Sequence, residues 1–199
     1  MKVKIKKEGK VKEFKLINSW SDVTLETWLK LIDFETGTKT ESATETIAEL
    51  TDIPKTLIKE LALSDVVGIM NKISELQADS DTKLKRIIEI NGVEYGYHPD
   101  LDKISLGEYA DIEQFIKDGI YTNLPELMAV LYRPIKEKKN DIYIIDAYDG
   151  DITMRTEEMK KMSTVQVQSA LVFFYTFGKE LWRILQSFLI DKQKEMKMQ

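Results

Sequence analysis

His98 is the only histidine in the chain, and histidine is the side chain most often recruited as a general base. Asp100 supplies a carboxylate two residues on. A hydrolytic role would also need a nucleophile with an oxyanion-hole motif, and no GxSxG occurs. Without such partners, a histidine at a hairpin end reads as structural. Asp79/Asp81, Asp100/Asp102 and Asp149/Asp151 form Asp-x-Asp pairs that could offer oxygen ligands to a hard cation. None continues into an EF-hand loop, and aspartates in turns already bond their own backbone. Glu108, Asp111, Glu113 and Asp118 lie along one acidic helix, where Glu108 has a capping role and the others suit a solvated face. The phosphate-binding patterns GxGxxG and GxxxxGK[ST] are missing. So is cysteine, and with it any disulfide, thiolate nucleophile or cysteine metal site. We therefore expect no catalytic, cofactor-binding or metal-ligating residue, and no cofactor.

The aromatic residues suggest contact rather than reaction. Ala170 to Tyr175 is apolar on every helical face, whereas Thr176, Lys179 and Arg183 give the following turns an ordinary polar stripe. Either the fold wraps those two turns or a partner completes their burial. Leu171, Phe173, Phe174, Tyr175 and Trp182, with Arg133, are the candidate interface residues, because aromatics and arginine dominate interface energetics. Core packing is the competing use of the same side chains. Base stacking would need interleaved basic residues, and Val165–Tyr175 has none.

Charge is unevenly spread. Residues 1–15 hold seven lysines and two glutamates, a local +5, within a chain of net charge −5. The acidic remainder disfavours a general nucleic-acid binder, and the lysine run reads first as a solvated strand face. The charge-free stretch Met162–Gly178 contains several polar residues and falls short of the roughly 20 mostly apolar residues of a spanning helix. The N-terminal run MKVKIKKEGK lacks a signal-peptide core. The expectation is a soluble protein.

The elements that must position these residues emerge from periodicity and caps. Val3, Ile5, Val11, Phe14 and Leu16 alternate around Glu8-Gly9-Lys10, predicting an N-terminal hairpin. Thr24 is placed to cap a helix through Thr36, with Trp28, Leu29 and Ile32 as its apolar stripe. Ser42 with Glu45 forms a capping box for a helix over Ala43–Leu50. Pro54 suits the first turn of a helix reaching Leu61. Ser64 then caps Asp65–Leu76. Asn91-Gly92 between β-prone runs is a strong hairpin signal. Ser105 and Glu108 open a helix Leu106–Lys117, and a helix Pro125–Tyr132 ends before Pro134. Ile142–Ile145 is either a short strand or a buried helical turn. Asp149-Gly150-Asp151 is a turn, and Ser163 with Gln166 opens a long C-terminal helix. The class is α+β, helix-dominated, with N-terminal and central hairpins. A division into residues 1–78 and 79–199, packed as one unit, is set by the break around Gln77–Asp81.

Four segments together, NSWSDVTLETWLKL, INGVEYGYHPDLDKISLGEYADIEQFI, LPELMAVLYRPI and SALVFFYTF, resemble virion structural or virion-assembly proteins of crAss-like and related tailed bacteriophages. The resemblance spans Ile17 to Phe177 and rests on a Trp-Asp-Thr helix start, an Asn-Gly hairpin and a Leu-Tyr-Arg-Pro helix end. It implies a non-enzymatic protein of the neck or tail, present in many copies and contacting itself and neighbouring ring or portal-type proteins. The place it implies is the virion, and the bacterial host cytoplasm during assembly. It transfers no site, only Trp28, Tyr109, Tyr132, Arg133 and Pro134 as fold-defining positions. An assembly chaperone not retained in the particle is the alternative, and a metal-dependent hydrolase built on the Asp-x-Asp pairs is a more distant one. The sequence does not indicate whether the first hairpin pairs within the subunit or with a neighbour.

Overall fold

Lysine alternating with valine and isoleucine decides the first element. A computed structural model of the chain, describing residues 1–7, 10–34, 38–76 and 83–174, pairs β1 (Lys2–Lys7) antiparallel with β2 (Lys10–Lys15). Val3 and Ile5 turn inward and are buried, while Lys2 and Lys4 stand outward against Glu13. Ser19 caps a single 3-10 turn, Trp20–Asp22. The Thr24 hydroxyl then accepts the Thr27 N–H at 3.2 Å and opens α1 (Leu25–Phe34).

The next helix starts earlier than expected. In α2 (Lys39–Leu50) the capping box is Thr38 with Glu41, not Ser42 with Glu45. Ser42 sits inside the helix, its N–H bonded to the Thr38 carbonyl. Two boxes stand four residues apart, and a formed helix extends with one bond gained per residue ordered, so the upstream cap wins. Pro54 serves as N-cap of a short α3 (Lys55–Ile58), which stops before Leu61. α4 (Leu63–Ser74) begins after Ala62, so Ser64 lies inside it rather than capping it. Ile69 and Ile73 of α4 are buried, as its periodicity predicts.

β3 (Ile87–Ile90) and β4 (Val93–Tyr97) flank Asn91 and Gly92, whose φ values of 52° and 79° are those of a tight hairpin turn. α5 (Leu106–Lys117) carries the expected Ser105–Glu108 box. α6 (Leu124–Leu131) has Pro125 in its first turn, and all its residues but Glu126 are buried. At Tyr132 the chain leaves the helix and becomes β5 (Tyr132–Lys139), which turns at Asn140 into β6 (Ile142–Ile145). Ile142–Ile145 is therefore a strand. The order β3-β4-β5-β6 makes one four-stranded antiparallel sheet, so the expected central hairpin is extended by two strands. Pro134 lies opposite Tyr95, next to a register shift between Ile135 and Glu137. A strand tolerates a residue without N–H at such an irregularity.

α7 (Thr153–Met159), which periodicity did not suggest, starts where Asp151 accepts the Thr153 N–H at 3.1 Å. The Arg155 Nε–H donates to the Ala129 carbonyl at 3.0 Å, serving an orphan acceptor in the last turn of α6. Ser163 and Gln166 exchange both bonds of a capping box. They open α8, described over residues 164–174; the rest of the expected C-terminal helix lies outside the described residues.

The fold is α+β. One core gathers Val3, Ile5, Ile47, Leu50, Ile69 and Ile73, and a larger one gathers the four-stranded sheet, α6 and α8. α1 joins them: Leu25 is buried in the larger core, and Trp28 packs against both. The seam is stitched by Leu25 N–H to Met162 O at 2.7 Å and Thr164 N–H to Val23 O at 2.8 Å. Among the described residues, no helix is long and apolar enough to cross a membrane.

Candidate functional site

Two places concentrate unusual residues. The first lies on the seam between the cores. Trp20 and Trp28 approach from the α1 side, Tyr121 from the α5–α6 connection, and Thr164, Val165, Val167, Gln168 and Leu171 from α8. Together they line a cavity of about 390 Å³. The Trp28 and Tyr121 rings meet edge to face at 6.4 Å, a geometry that favours aromatic pairs. Trp20 satisfies its indole N–H on the Leu76 carbonyl at 3.3 Å. Tyr121 stays 61% exposed, so this wall is a surface feature and not a closed core.

The second place is a buried polar cluster. Glu108 uses its two oxygens differently: Oε2 accepts the Ser105 N–H at 2.7 Å, completing the α5 cap, while Oε1 faces Arg133 Nη2 at 2.7 Å and His98 Nε2 at 3.6 Å. Arg133 approaches Oε1 off its N–H axis, and among the described residues neither Glu108 Oε1 nor Arg133 Nε has a hydrogen-bond partner. The pair is a close charge contact, not a two-pronged fork. Arg133 also lies over the Tyr148 ring at 5.8 Å, and the Tyr148 hydroxyl donates to Asp111.

Electrostatics are set by burial and these neighbours. Burial alone would raise the Glu108 carboxyl, but the Ser105 bonds, Arg133 and His98 together hold it below the ordinary carboxylate range. Burial lowers His98, and the pull of Glu108 recovers only part of that, so the imidazole is neutral near pH 7. Burial also raises Tyr97 and Tyr132, which stay protonated. The cluster thus holds one carboxylate, one guanidinium and one neutral imidazole, each directed at another member.

No family model, curated protein or solved structure matches this chain.

The expected residues divide between these two places and the core. Leu171 lines the seam cavity. Phe173 turns inward, its ring edge-on to Tyr97 at 5.6 Å, and Phe174 packs partly buried against the larger core. Ala170 is fully buried, whereas Val172 is 46% exposed. The chain's own packing therefore covers most of the all-apolar turns up to residue 174. Arg133 is buried and faces Glu108 within the subunit. Tyr175 and Trp182 lie outside the described residues. Of the fold-defining positions, Trp28, Tyr132, Arg133 and Pro134 sit at structural junctions, and Tyr109 is half exposed.

The aspartate pairs are occupied by backbone. Asp100 accepts the Asp102 N–H, and Asp149 accepts the Asp151 N–H, each at 3.2 Å. Asp79 and Asp81 lie outside the described residues. Among the described residues no three His, Asp or Glu side chains are grouped to hold a metal ion. Sequence reasoning missed the Glu108–Arg133 contact. The available signal was an arginine at the end of the apolar run Leu127–Tyr132, a charge that burial obliges to find a partner.

Proposed function

We propose that this protein is a structural subunit of a tailed-bacteriophage virion, in the neck or tail. It acts through contacts with copies of itself and with neighbouring virion proteins, and performs no reaction. The observation that carries the reading is the aromatic seam cavity of Trp20, Trp28, Tyr121 and Leu171. Aromatic side chains at a surface depression supply the anchoring contacts of protein interfaces. The resemblance of four segments to phage virion proteins supports the setting. A ring subunit buries one face against a different face of the next copy, and the seam cavity is a face of that kind.

Mass spectrometry of purified particles from infected cells tests the setting, with the protein expected at many copies per particle. Its presence in lysates but absence from particles would transfer the reading to an assembly chaperone. Light scattering coupled to size-exclusion chromatography tests the surface. Tyr121→Glu, at an exposed position on the cavity wall, is expected to shift an assembling protein towards monomer. Unchanged mass with full particle incorporation would remove the cavity from the interface.

A further inference from the structure

One imidazole closes the connection between β4 and α5. His98 Nδ1 accepts the Asp100 N–H at 3.3 Å, so the ring proton resides on Nε2, the nitrogen that faces Glu108. The His98 main chain is anchored separately, its N–H on the Leu131 carbonyl at 2.7 Å. Beyond it, the 3-10 turn Leu101–Lys103 is held by Asp100, and Leu101 is inserted into the larger core with 7% exposure. Ile104 packs partly buried on the same core. The first bond of this connection therefore depends on an unprotonated Nδ1.

We propose that His98 is a proton-operated latch on residues 99–105. With the imidazole neutral, Nδ1 holds the Asp100 N–H and the turn lies against the core. A proton on Nδ1 converts that acceptor into a donor, and two N–H groups then face each other. The turn lifts, and Leu101 and Ile104 become accessible while α6 and the sheet stay folded.

The charges around the ring are arranged for this outcome. Glu108 of α5 attracts an imidazolium, but its Oε1 is already held by Arg133 of β5, which repels the new charge. Asp100, within the turn, is paired with Lys103 at 2.9 Å. Behind Arg133 stand Tyr148 with Asp111, then Asp146 and Arg155. Asp100 itself favours the imidazolium, by its charge and by its backbone, but the Asp100 N–H that Nδ1 holds in the neutral state has no place against a protonated Nδ1. The latch would thus expose apolar surface at the head of α5 on acidification, independently of any virion role.

Because His98 is the only histidine, its Cε1–H resonance in the full-length protein is unambiguous. The test is a proton and nitrogen NMR titration with amide exchange, corrected for the intrinsic pH dependence of exchange. The Asp100 amide shift is expected to move with the same midpoint as the imidazole. Protection at residues 100–104 is expected to fall at least about tenfold while α6 keeps its own, as in a local opening. His98→Asn, whose side-chain oxygen can hold the Asp100 N–H without titrating, should abolish the transition. An imidazole that titrates with no change at Asp100, protection lost equally in α6, or the same transition in His98→Asn would overturn the proposal. Should the variant fail to fold, the wild-type titration decides alone.

Discussion

Arg133 Nη2 stands 2.7 Å from Glu108 Oε1 with only 6% and 4% of the two side chains exposed. The contact fastens the first turn of α5 to the start of β5, across the rest of α5 and the whole of α6. It also places Glu108 under two obligations, one to the α5 cap and one to the guanidinium.

Removing one partner strands the other. Arg133→Met should lower unfolding free energy by roughly 3–5 kcal/mol, because Glu108 is left buried and uncompensated. Adding Glu108→Gln to that variant should recover part of the loss. Urea denaturation of the two single variants and the double variant gives the coupling directly.

Acid should weaken the fold in two steps. His98 lies below its ordinary value of 6.5 and Glu108 below 4.5. Each therefore binds its proton more readily in the unfolded chain, and stability rises with pH wherever that holds. The His98 contribution is complete above pH 6.5 and declines as pH falls from there towards the folded-state value. The Glu108 contribution is complete above pH 4.5 and is lost below it. Denaturation midpoints measured from pH 8 down to 3 should show both declines, and His98→Asn should flatten the first.

A methyl group at Gly96 would collide with the Tyr143 ring and come within 2.8 Å of the Ile145 side chain. That ring is not free to retreat, since its hydroxyl donates to the Tyr97 carbonyl at 2.7 Å. Gly96→Ala should therefore destabilise by roughly 1–3 kcal/mol, the range for overpacking a tight interior. A thermal unfolding midpoint unchanged from wild type would contradict the packing of β6 across β4.

Two tyrosines whose rings meet edge to face at 5.1 Å should respond differently to loss of a hydroxyl. Tyr132 donates to the Lys85 carbonyl at 2.8 Å, whereas the Tyr97 hydroxyl is buried and finds no partner among the described residues. Tyr132→Phe should cost about 0.5–1.5 kcal/mol, and Tyr97→Phe should be neutral or stabilising. Calorimetry of the two variants separates them by sign.

Local chemistry is legible in the residues alone. The Asn91-Gly92 turn, the Ser105–Glu108 box and the Ser163–Gln166 box each lie within four residues of chain, and each forms as its spacing predicts. Thr38 against Ser42 is less legible, because both offer a valid cap and only helix extension chooses between them. β5 is hidden for a different reason: Tyr132 continues the apolar run of α6, and Pro134 marks an end to helix without naming the element beyond it. That stretch becomes a strand because it pairs antiparallel with the edge of β4 that faces away from β3.

Short-range chemistry settles the α+β class, the positions of most caps and the inward face of the first hairpin, because hydrogen bonds and apolar alternation act over a few residues. The candidate site is decided elsewhere. Glu108 meets Arg133 across the rest of α5 and the whole of α6, and Trp20 and Leu171 come to line one cavity across most of the chain. Only tertiary packing could bring those side chains together, since buried charge and buried aromatic surface take whatever partners the folded elements place beside them.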